Sequence, residues 1–261
     1  MGLDSTDCPI VKAKATLKDA STDSDIRSAE RVLRLEADGL RALARALDDS
    51  FRRAIDVLAS VDGRVVVTGM GKSGHVARKI AATLSSVGTP ALYVHPGEAS
   101  HGDLGMITRS DALLALSSSG ETAELSNLLT YTRRFSIPLI GITREAKSAL
   151  AEAADVTLLL PPSPEACPLG LAPTTSTTMM MALGDAMAVA LLERKGFSTD
   201  DFQVLHPGGQ LGRQGVTRET LKPGDHVVIM GNPGRNPEDH RLRMVNITRP
   251  SDGWKWGGTF D

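Results

Sequence analysis

The chain has 261 residues and a formal net charge of −2, so it is long enough for one large α/β domain plus an appendage and lacks the basic field typical of nucleic-acid-binding proteins. Its two cysteines, Cys8 and Cys167, fit neither a metal-binding spacing nor a disulfide framework, which favours a reducing cytosol. No apolar signal segment is visible, and no apolar run reaches the roughly 18–20 residues of a membrane span. We therefore expect a cytoplasmic protein with neither nucleic acid nor membrane as a partner.

The N-terminal part divides into a polar stretch and a helical one. Residues 1–24 are mixed and polar, and we expect them to form a flexible arm. From Asp25 to about Leu58, apolar residues recur at spacings of three or four, which predicts a helix. Asp62 and Gly63 then break the pattern before the first strand.

After residue 63, strands and helices alternate, and the strands are apolar throughout rather than alternately polar. Such strands are typical of a parallel sheet covered on both faces. The pattern predicts an α/β fold with a doubly wound, five-stranded parallel sheet, whose ligands bind at the carboxyl ends of the strands. The predicted strands lie near 64–68, 91–94, 111–116, 138–142 and 155–160, and the predicted helices near 73–86, 121–135, 146–153 and 174–195.

The character of the sequence changes after Arg213. We expect one domain over residues 25–213, followed by a tail over 214–261 that is either a small β-rich appendage or only partly ordered. The tail contains both tryptophans, several turn signals and short strand-like pieces at 226–230 and 242–247.

Two predicted strands each run into a Gly/Ser-rich bend that opens a helix. The first bend is Gly69–Gly74 and the second is Ser117–Thr122. Such junctions point free backbone N–H groups and the positive end of a helix dipole at one spot, which suits a phosphate ester. Side-chain hydroxyls add donors without adding charge. We therefore expect one pocket for a phosphorylated small molecule, with hydroxyls from Ser73, Ser117, Ser119 and Thr122.

Three alternative roles for the first bend fit the sequence less well. Gly69, Gly71 and Gly74 also fit a dinucleotide fingerprint, but the second strand does not end in the acidic residue that would hold a ribose hydroxyl. A Walker P-loop would need its first glycine at position 66, which is Val66. Glycines that serve only a tight turn would leave the repeated Ser/Thr chemistry unexplained.

Several ionisable residues near these bends have both a structural and a functional interpretation. Glu121 and Glu124 begin a predicted helix, where they either complement the dipole or face the pocket and handle protons. The loop His95–Asp103 holds four potential metal ligands without a zinc-site spacing, so imidazoles that bind substrate oxygens are the favoured interpretation. His206 lies in a turn with Pro-Gly-Gly, where it is either solvated or functional.

A series of longer strings gives a specific resemblance. The strings closely resemble D-arabinose 5-phosphate isomerases, which contain a sugar isomerase (SIS) domain, and the resemblance covers about residues 25–213. They are Gly69-Met-Gly-Lys-Ser-Gly-His75, Val94-His-Pro-Gly-Glu-Ala-Ser-His-Gly-Asp-Leu-Gly-Met106, Glu165-Ala-Cys-Pro-Leu-Gly-Leu-Ala-Pro-Thr-Thr-Ser-Thr-Thr178, Gly184-Asp-Ala-Met-Ala-Val-Ala-Leu-Leu192 and Leu205-His-Pro-Gly-Gly-Gln-Leu-Gly-Arg213.

The resemblance implies an activity and a set of site residues. The family interconverts D-ribulose 5-phosphate and D-arabinose 5-phosphate to supply the Kdo sugar of lipopolysaccharide. It needs no cofactor, and it forms a homotetramer whose active sites lie at subunit interfaces. The catalytic positions fall on Lys72, Glu124, Glu165 and His206; the substrate-binding positions fall on Ser73, Gly88, Thr89, His101, Ser117, Ser119 and Thr122; and His95 matches a position associated with inhibitory zinc.

The chemistry of aldose–ketose exchange suits these residue types. A proton moves between C1 and C2 through a cis-enediol, which requires a base near the carbon, an acid near the oxygens and a fixed phosphate. His206 is a candidate for the proton transfer or for ring opening. Glu165 precedes an apolar stretch, so we expect a raised pKa and a share in the base role. Lys72 would neutralise phosphate or enediolate charge, and Glu124 would orient a partner or a sugar hydroxyl.

The resemblance ends before the tail. Family members usually continue into a pair of CBS modules of roughly 110 residues, whereas 48 residues that do not resemble CBS sequence follow Arg213. Two alternatives remain open at this point. One is a non-catalytic SIS sensor of a sugar phosphate, although the N-terminal 60 residues are too few and insufficiently basic for a helix-turn-helix domain. The other is an isomerase of a different phosphosugar.

Overall fold

The structure is a computed structural model that describes residues 22–198, 201–202, 205–206, 220–233 and 242–257. Most of the predicted arm, residues 1–24, lies outside the described residues, but the chain is already helical at Thr22. Contacts within the chain divide it into a first unit that ends at Phe197 and a second unit that begins at Ser198. The predicted boundary at Arg213 stays a prediction, because residues 207–219 are outside the described part.

The single long helix predicted for residues 25–58 is wrong, because the structure has two helices there. Helix α1 spans Thr22–Ala46 and α2 spans Asp49–Ala59. The break is made by Asp48, whose side chain accepts a hydrogen bond of 2.9 Å from the backbone N–H of Ser50. An Asp at this N-cap position satisfies an amide that the helix itself cannot bond, so a new helix begins there.

The remaining elements of the first unit follow the predicted alternation with small shifts at their ends. The helix predicted for 121–135 opens with a short 3-10 segment, and a second 3-10 segment, Asp103–Met106, precedes β3. The elements are β1 Val65–Gly69, α3 Gly71–Ser86, β2 Ala91–Val94, α4 Pro96–Ala99, β3 Ala112–Leu116, the 3-10 segment Ala123–Leu125, α5 Ser126–Phe135, β4 Leu139–Thr143, α6 Ala149–Ala153, β5 Val156–Leu159 and α7 Thr175–Lys195.

The five strands form one parallel sheet in the order β2-β1-β3-β4-β5, which confirms the predicted fold class. Strand β1 pairs with β2 on one side and with β3 on the other; Val65, for example, lies opposite both Ala91 and Ala112. The two strands that follow β1 in sequence therefore lie on opposite sides of it, and all of these strands stay parallel. This order has its topological switch point at β1 and β3, and α/β sheets bind ligands at the carboxyl ends of the strands there.

Helices cover both faces of the sheet, and neighbouring residues of β1 point to opposite faces. Val65 and Val67 pack in a cluster with buried residues of α2, α3 and α7, whereas Val66 packs in a second cluster with α5 and α6. All five residues of β1, β3 and β4 are buried, which is why these strands are apolar throughout.

Helix α7 has the length and hydropathy of a candidate membrane span, but half of the relevant window is buried inside the protein. Met180, Leu183 and Met187 of this helix belong to the core cluster on the α3 side of the sheet. Burial of this kind is typical of a core helix.

The second unit contains a separate antiparallel sheet of three strands in the order β6-β7-β8. Strand β6 spans Val228–Pro233, β7 spans Leu242–Arg249 and β8 spans Trp254–Gly257. Arg249 bonds the carboxylate of Asp225 at 2.7 Å and that of Asp252 at 2.8 Å, which ties the sheet to the turns before it and after β7. Of the two alternatives predicted for the tail, the β-rich appendage is confirmed, although its third strand is not among the predicted ones.

Candidate functional site

Both Gly/Ser-rich bends line one cavity of about 480 Å³ at the carboxyl edge of the parallel sheet. The cavity lies over β1 and β3, at the switch point of the sheet, and residues that follow β4 complete its wall. This confirms that the two bends meet on one rim. The lining residues are Met70, Ser73, Leu116, Ser117, Ser118, Ser119, Thr122, Arg144 and Glu145.

The first bend is shaped by glycines that no other residue replaces without strain. Gly71 has a φ of +55°, in the left-handed region that glycine adopts at no steric cost. A Cβ added at Gly74 would lie 2.5 Å from the carbonyl oxygen of Gly69 and 2.9 Å from the Tyr93 hydroxyl, so a bare glycine lets α3 start close against the end of β1. Met70 caps α3 without a side-chain hydrogen bond, and the first amides of the helix remain free to bind an anion at the cavity.

In the second bend, hydroxyls shape the loop as well as line the cavity. Ser117 Oγ lies 2.8 Å from Thr122 Oγ1 and accepts a hydrogen bond of 3.0 Å from the N–H of Gly120. Ser119 Oγ accepts one of 3.2 Å from the N–H of Glu121. Ser117 is nearly fully buried, whereas Ser119 is exposed at the rim. The predicted hydroxyls Ser73, Ser117, Ser119 and Thr122 thus share one cavity.

Arg144 and Glu145 line the same cavity and were not foreseen from the sequence. They follow β4 directly, so they stand at the same edge of the sheet as the two bends. The Arg144 N–H donates a hydrogen bond of 3.1 Å to the carbonyl oxygen of Ser118, which fixes this residue beside the second bend. Their position at the end of a predicted strand was the available signal. The guanidinium gives the cavity a permanent positive charge.

Glu165 lies one side chain away from the cavity, in the segment between β5 and α7. Its Oε1 is 3.8 Å from Nη1 of Arg144, and the Glu165 side chain is only 11% exposed. Its Oε2 accepts hydrogen bonds from the backbone N–H of Thr174 at 2.7 Å, the Thr174 hydroxyl at 3.0 Å and the N–H of Ser176 at 3.3 Å. The carboxylate therefore caps the start of α7, whose dipole favours a negative charge there.

The expectation of a raised pKa for Glu165 is wrong. Burial pushes its pKa upward, but the hydrogen bonds from Ser176 and Thr174 outweigh burial and hold the pKa below 4.5. The sequence reasoning relied on the apolar stretch that follows, yet Leu169 and Leu171 are 78% and 82% exposed and leave the carboxylate in a polar setting. Glu165 is therefore an ionised carboxylate at neutral pH.

The two glutamates at and just after the second bend have different environments. Glu121 Oε1 accepts a hydrogen bond of 2.8 Å from the N–H of Ala149 and so caps the start of α6. Glu124 is exposed in the 3-10 segment that precedes α5. Lys72 is exposed in the first turn of α3 and forms no ion pair within the described part of the chain. Neither Lys72 nor Glu124 lines the cavity, although Lys72 stands in the first bend and Glu124 directly follows the second.

Gly88 and Thr89 lie at the opposite edge of the sheet, because they precede β2 rather than follow it. Thr89 is buried, and its hydroxyl accepts a hydrogen bond of 2.9 Å from the Lys195 ammonium. Within one chain these two predicted substrate-binding residues are therefore not brought to the cavity.

His95 follows β2 at the carboxyl edge and caps the short α4 through its Nδ1, which accepts a hydrogen bond of 3.2 Å from Gly97 N–H. His101 is exposed in the same loop. Among the residues that the structure describes, no group of three or more His, Cys, Asp or Glu side chains is arranged to hold a metal ion.

His206 belongs to the second unit. Its Nδ1 lies 2.8 Å from the carbonyl oxygen of Phe202, and its ring stacks on the Phe202 ring at 3.9 Å between centroids. These contacts fix the orientation of the imidazole within its own unit and leave its Nε2 for another partner.

Most of the chain is similar in sequence to known proteins. Residues 58–190 match the SIS domain. The chain is 55% identical over 189 residues to the arabinose 5-phosphate isomerase KdsD of Pseudomonas aeruginosa, an alignment that covers 72% of this chain and 58% of that protein. It is 50% identical over 231 residues to the KdsD of Yersinia pestis, with 87% of this chain and 69% of that protein covered.

A solved structure gives the same picture. An Escherichia coli CFT073 protein in complex with arabinose 5-phosphate is 40% identical to this chain and superimposes with a TM-score of 0.69, covering 71% of this chain and 99% of the other. The chain spans less than two thirds of the length of the Pseudomonas aeruginosa relative.

Proposed function

We propose that this chain, which belongs to the SIS-domain family, is an aldose–ketose isomerase that interconverts D-ribulose 5-phosphate and D-arabinose 5-phosphate through a cis-enediol. The observation that carries the proposal is the single cavity lined by both Ser-rich bends at the switch point of the sheet. The substrate is inferred from the relatives named arabinose 5-phosphate isomerase and from the neighbouring structure that contains arabinose 5-phosphate.

The phosphate end of the substrate is the natural occupant of the cavity. The free amides at the start of α3 and the hydroxyls of Ser73, Ser119 and Thr122 supply uncharged donors for its oxygens. A phosphate held at this fixed point leaves the sugar carbons in a defined position relative to the ionisable residues around the rim. Orientation of this kind lowers the barrier for proton transfer, because the reacting carbon and the base no longer have to find each other.

The proton transfers are assigned to Glu165 and His206. Glu165 enters the reaction as a carboxylate because its pKa is held down, and only the ionised form accepts a proton from carbon. Its Oε1 is available for this, since Oε2 is occupied by α7. An imidazole can both donate and accept a proton under neutral conditions, so His206 serves the sugar oxygens during ring opening and enediol formation.

Lys72 and Glu124 complete the proposed site. Lys72, at the start of α3, stabilises the negative charge that develops on the enediolate or the phosphate. Glu124, beside the second bend, orients a sugar hydroxyl. No cofactor is required by this scheme, because the proton moves between two carbons of one substrate.

We further propose a homotetramer with active sites at subunit interfaces, working in the cytoplasm to supply Kdo for lipopolysaccharide. One feature of the surface supports an interface. Leu33, Leu169 and Leu171 are 68%, 78% and 82% exposed, which is apolar surface that a second copy would cover. His95 would take up an inhibitory zinc ion, not a required one.

The test is to incubate purified protein with D-ribulose 5-phosphate and measure formation of D-arabinose 5-phosphate, with and without a chelator. D-Ribulose is the matched control, because it lacks the phosphate. We expect turnover of the phosphate ester only, unchanged by the chelator. Binding without turnover would contradict the proposal and indicate a sensor, and turnover of a hexulose or heptulose phosphate alone would indicate another isomerase.

A further inference from the structure

Arg144 connects the cavity with the proposed base. The residue lines the cavity beside the second bend, and its Nη1 lies 3.8 Å from Oε1 of Glu165. The backbone of Arg144 is held by the carbonyl oxygen of Ser118, so the residue cannot move away from the cavity as a whole. Its side chain is 33% exposed, which leaves space for another side-chain conformation.

The two oxygens of Glu165 differ sharply in their partners. Oε2 accepts three hydrogen bonds from Thr174 and Ser176 at the start of α7. For Oε1, Arg144 is the charged partner, at a distance longer than a hydrogen bond. The carboxylate is therefore anchored by α7, and the cation is the movable member of the pair.

We propose that Arg144 is a positioning residue shared between Glu165 and the phosphate group: its guanidinium pairs with Glu165 when the cavity is empty and binds the phosphate dianion when the cavity is occupied. This inference rests on the proposed function for the identity of the anion and of the base. Arg144 is then the group by which occupancy of the cavity is communicated to the carboxylate.

Simple electrostatics favours the exchange. A loose, partly exposed ion pair contributes little, because both charges are largely solvated and screened. A phosphate dianion carries twice the charge of a carboxylate, and it accepts two parallel N–H bonds from the planar guanidinium. The cation therefore gains by moving to the phosphate, while the hydrogen bonds from α7 prevent Glu165 from following.

The exchange has a chemical consequence. In the empty protein, hydrogen bonds from Ser176 and Thr174 hold the pKa of Glu165 down against burial. The Arg144 guanidinium, 3.8 Å from Oε1, adds an opposite charge that also favours the ionised form. Loss of the cation to the phosphate increases the proton affinity of Oε1 at the moment when the sugar carbon arrives. Glu145 also lines the cavity, and a negative charge there would disfavour an anion on its side of the wall.

A double-mutant cycle in ligand binding tests this sharing. The probe is D-arabinitol 5-phosphate, which lacks a carbonyl group and cannot isomerise, and its Kd is measured by calorimetry. We expect Arg144→Gln to weaken binding about tenfold, through loss of a charged donor. We expect Arg144→Lys to restore only part of the affinity, because an ammonium keeps the charge but cannot donate two parallel N–H bonds. We expect Glu165→Gln to tighten binding about two- to fivefold, because the freed guanidinium is no longer shared.

The decisive comparison is Glu165→Gln in the Arg144→Gln background, where the gain in affinity should disappear. An equal gain in both backgrounds would show that Glu165 simply repels the phosphate, and an unchanged Kd in Arg144→Gln would show that Arg144 does not bind it; either overturns the inference. Arg133→Gln is the matched control, because Arg133 bonds the carbonyl oxygen of Glu152 outside the cavity lining. Thermal melting of each variant checks that the fold is retained.

The cycle also separates this inference from the proposed function. Turnover of ribulose 5-phosphate together with additive mutational effects removes the role of Arg144 and leaves the isomerase. The predicted coupling without turnover keeps the role of Arg144 and removes the isomerase. A wild-type protein that binds no phosphate ester overturns both.

Discussion

The two edges of the parallel sheet use polar residues in opposite ways. At the amino edge, Asp111 accepts hydrogen bonds from the N–H groups of Arg64 at 2.7 Å and Thr108 at 2.8 Å, and Asp155 accepts one of 2.8 Å from Leu139 N–H. At the carboxyl edge, α3 starts without a side-chain cap, and the exposed Ser119 hydroxyl faces a cavity.

This difference separates polar groups that hold the fold from polar groups that remain available to a ligand. A buried carboxylate such as Asp111, whose oxygens accept backbone N–H groups, is shielded from other molecules, and its loss is felt as instability. A bend that leaves amides and hydroxyls open contributes less to stability and more to binding. Glu165 combines both, since one oxygen caps α7 and the other faces Arg144.

The largest expected effect is on catalysis, from Glu165→Gln. We expect kcat to fall about a thousandfold, because the amide cannot accept the carbon proton. The melting temperature should change little, because the amide oxygen still accepts hydrogen bonds from Thr174 and Ser176. Steady-state kinetics and thermal melting measure the two effects. Glu152→Gln on the exposed side of α6 is the control, and equal kcat in both variants would remove Glu165 from the chemistry.

The next effect is on the geometry of the first bend, from Gly74→Ala. The added Cβ would lie 2.5 Å from the Gly69 carbonyl oxygen, so α3 must move away from β1. We expect a loss of about 3 kcal/mol in the free energy of unfolding, together with weaker phosphate binding, because the amides at the start of α3 shift. Gly105→Ala is the matched control, since its Cβ meets nothing within 4 Å. Equal stability of the two variants would contradict the close approach.

A smaller effect, on stability alone, is expected for Asp111→Asn at the amino edge. Asp111 is 2% exposed, and an amide would place a donor against the N–H of Arg64 or Thr108. We expect a loss of about 2 kcal/mol in the free energy of unfolding at pH 7, measured by denaturant titration, with unchanged kcat. Asp62→Asn, at an exposed position, is the control.

The same variant has a defined pH dependence. Burial raises the pKa of Asp111, but the hydrogen bonds from Thr108 and Arg64 outweigh it and lower the pKa below 3.8. A depressed pKa adds stability that is present above the unfolded value and is lost as pH falls through the folded value. The difference between wild type and variant should therefore be full at pH 7 and shrink below about pH 3.8. A difference that stays constant into acid would contradict this account.

Much of the first unit could be predicted because its signals are local. Apolar strands of four to six residues, separated by helices, predict a parallel sheet. Both Gly/Ser-rich bends directly follow a strand, so the sequence also predicts that they lie at the same edge of that sheet. The apolar spacing continues across Asp48, so the spacing does not predict the break between α1 and α2. The break depends on one side chain, that of Asp48, which accepts the N-cap hydrogen bond of α2.

The errors at the site concern contacts between distant segments. Arg144 stands 21 positions before Glu165, and only the folded sheet brings their side chains to 3.8 Å. The apolar residues that follow Glu165 in the sequence predict a raised pKa. Its environment is instead set by the start of α7, nine to eleven residues further on, whose N–H groups bond the carboxylate. Sequence patterns can predict which residues are buried. They rarely predict which hydrogen-bond donors surround a given carboxylate, because those donors come from distant segments.

The smallest expected effect is from Ser119→Ala, and it tests the comparison of the two edges most directly. Ser119 accepts one hydrogen bond from Glu121 N–H and is exposed at the cavity, so its removal should cost little stability. We expect KM to rise about fivefold with kcat nearly unchanged, because the lost donor binds the phosphate equally in substrate and transition state. Ser60→Ala, in which the lost hydroxyl bonds Val57 at the exposed end of α2, is the control. A fall in melting temperature as large as that of Asp111→Asn, with KM unchanged, would mean that the carboxyl edge is as much a structural element as the amino edge.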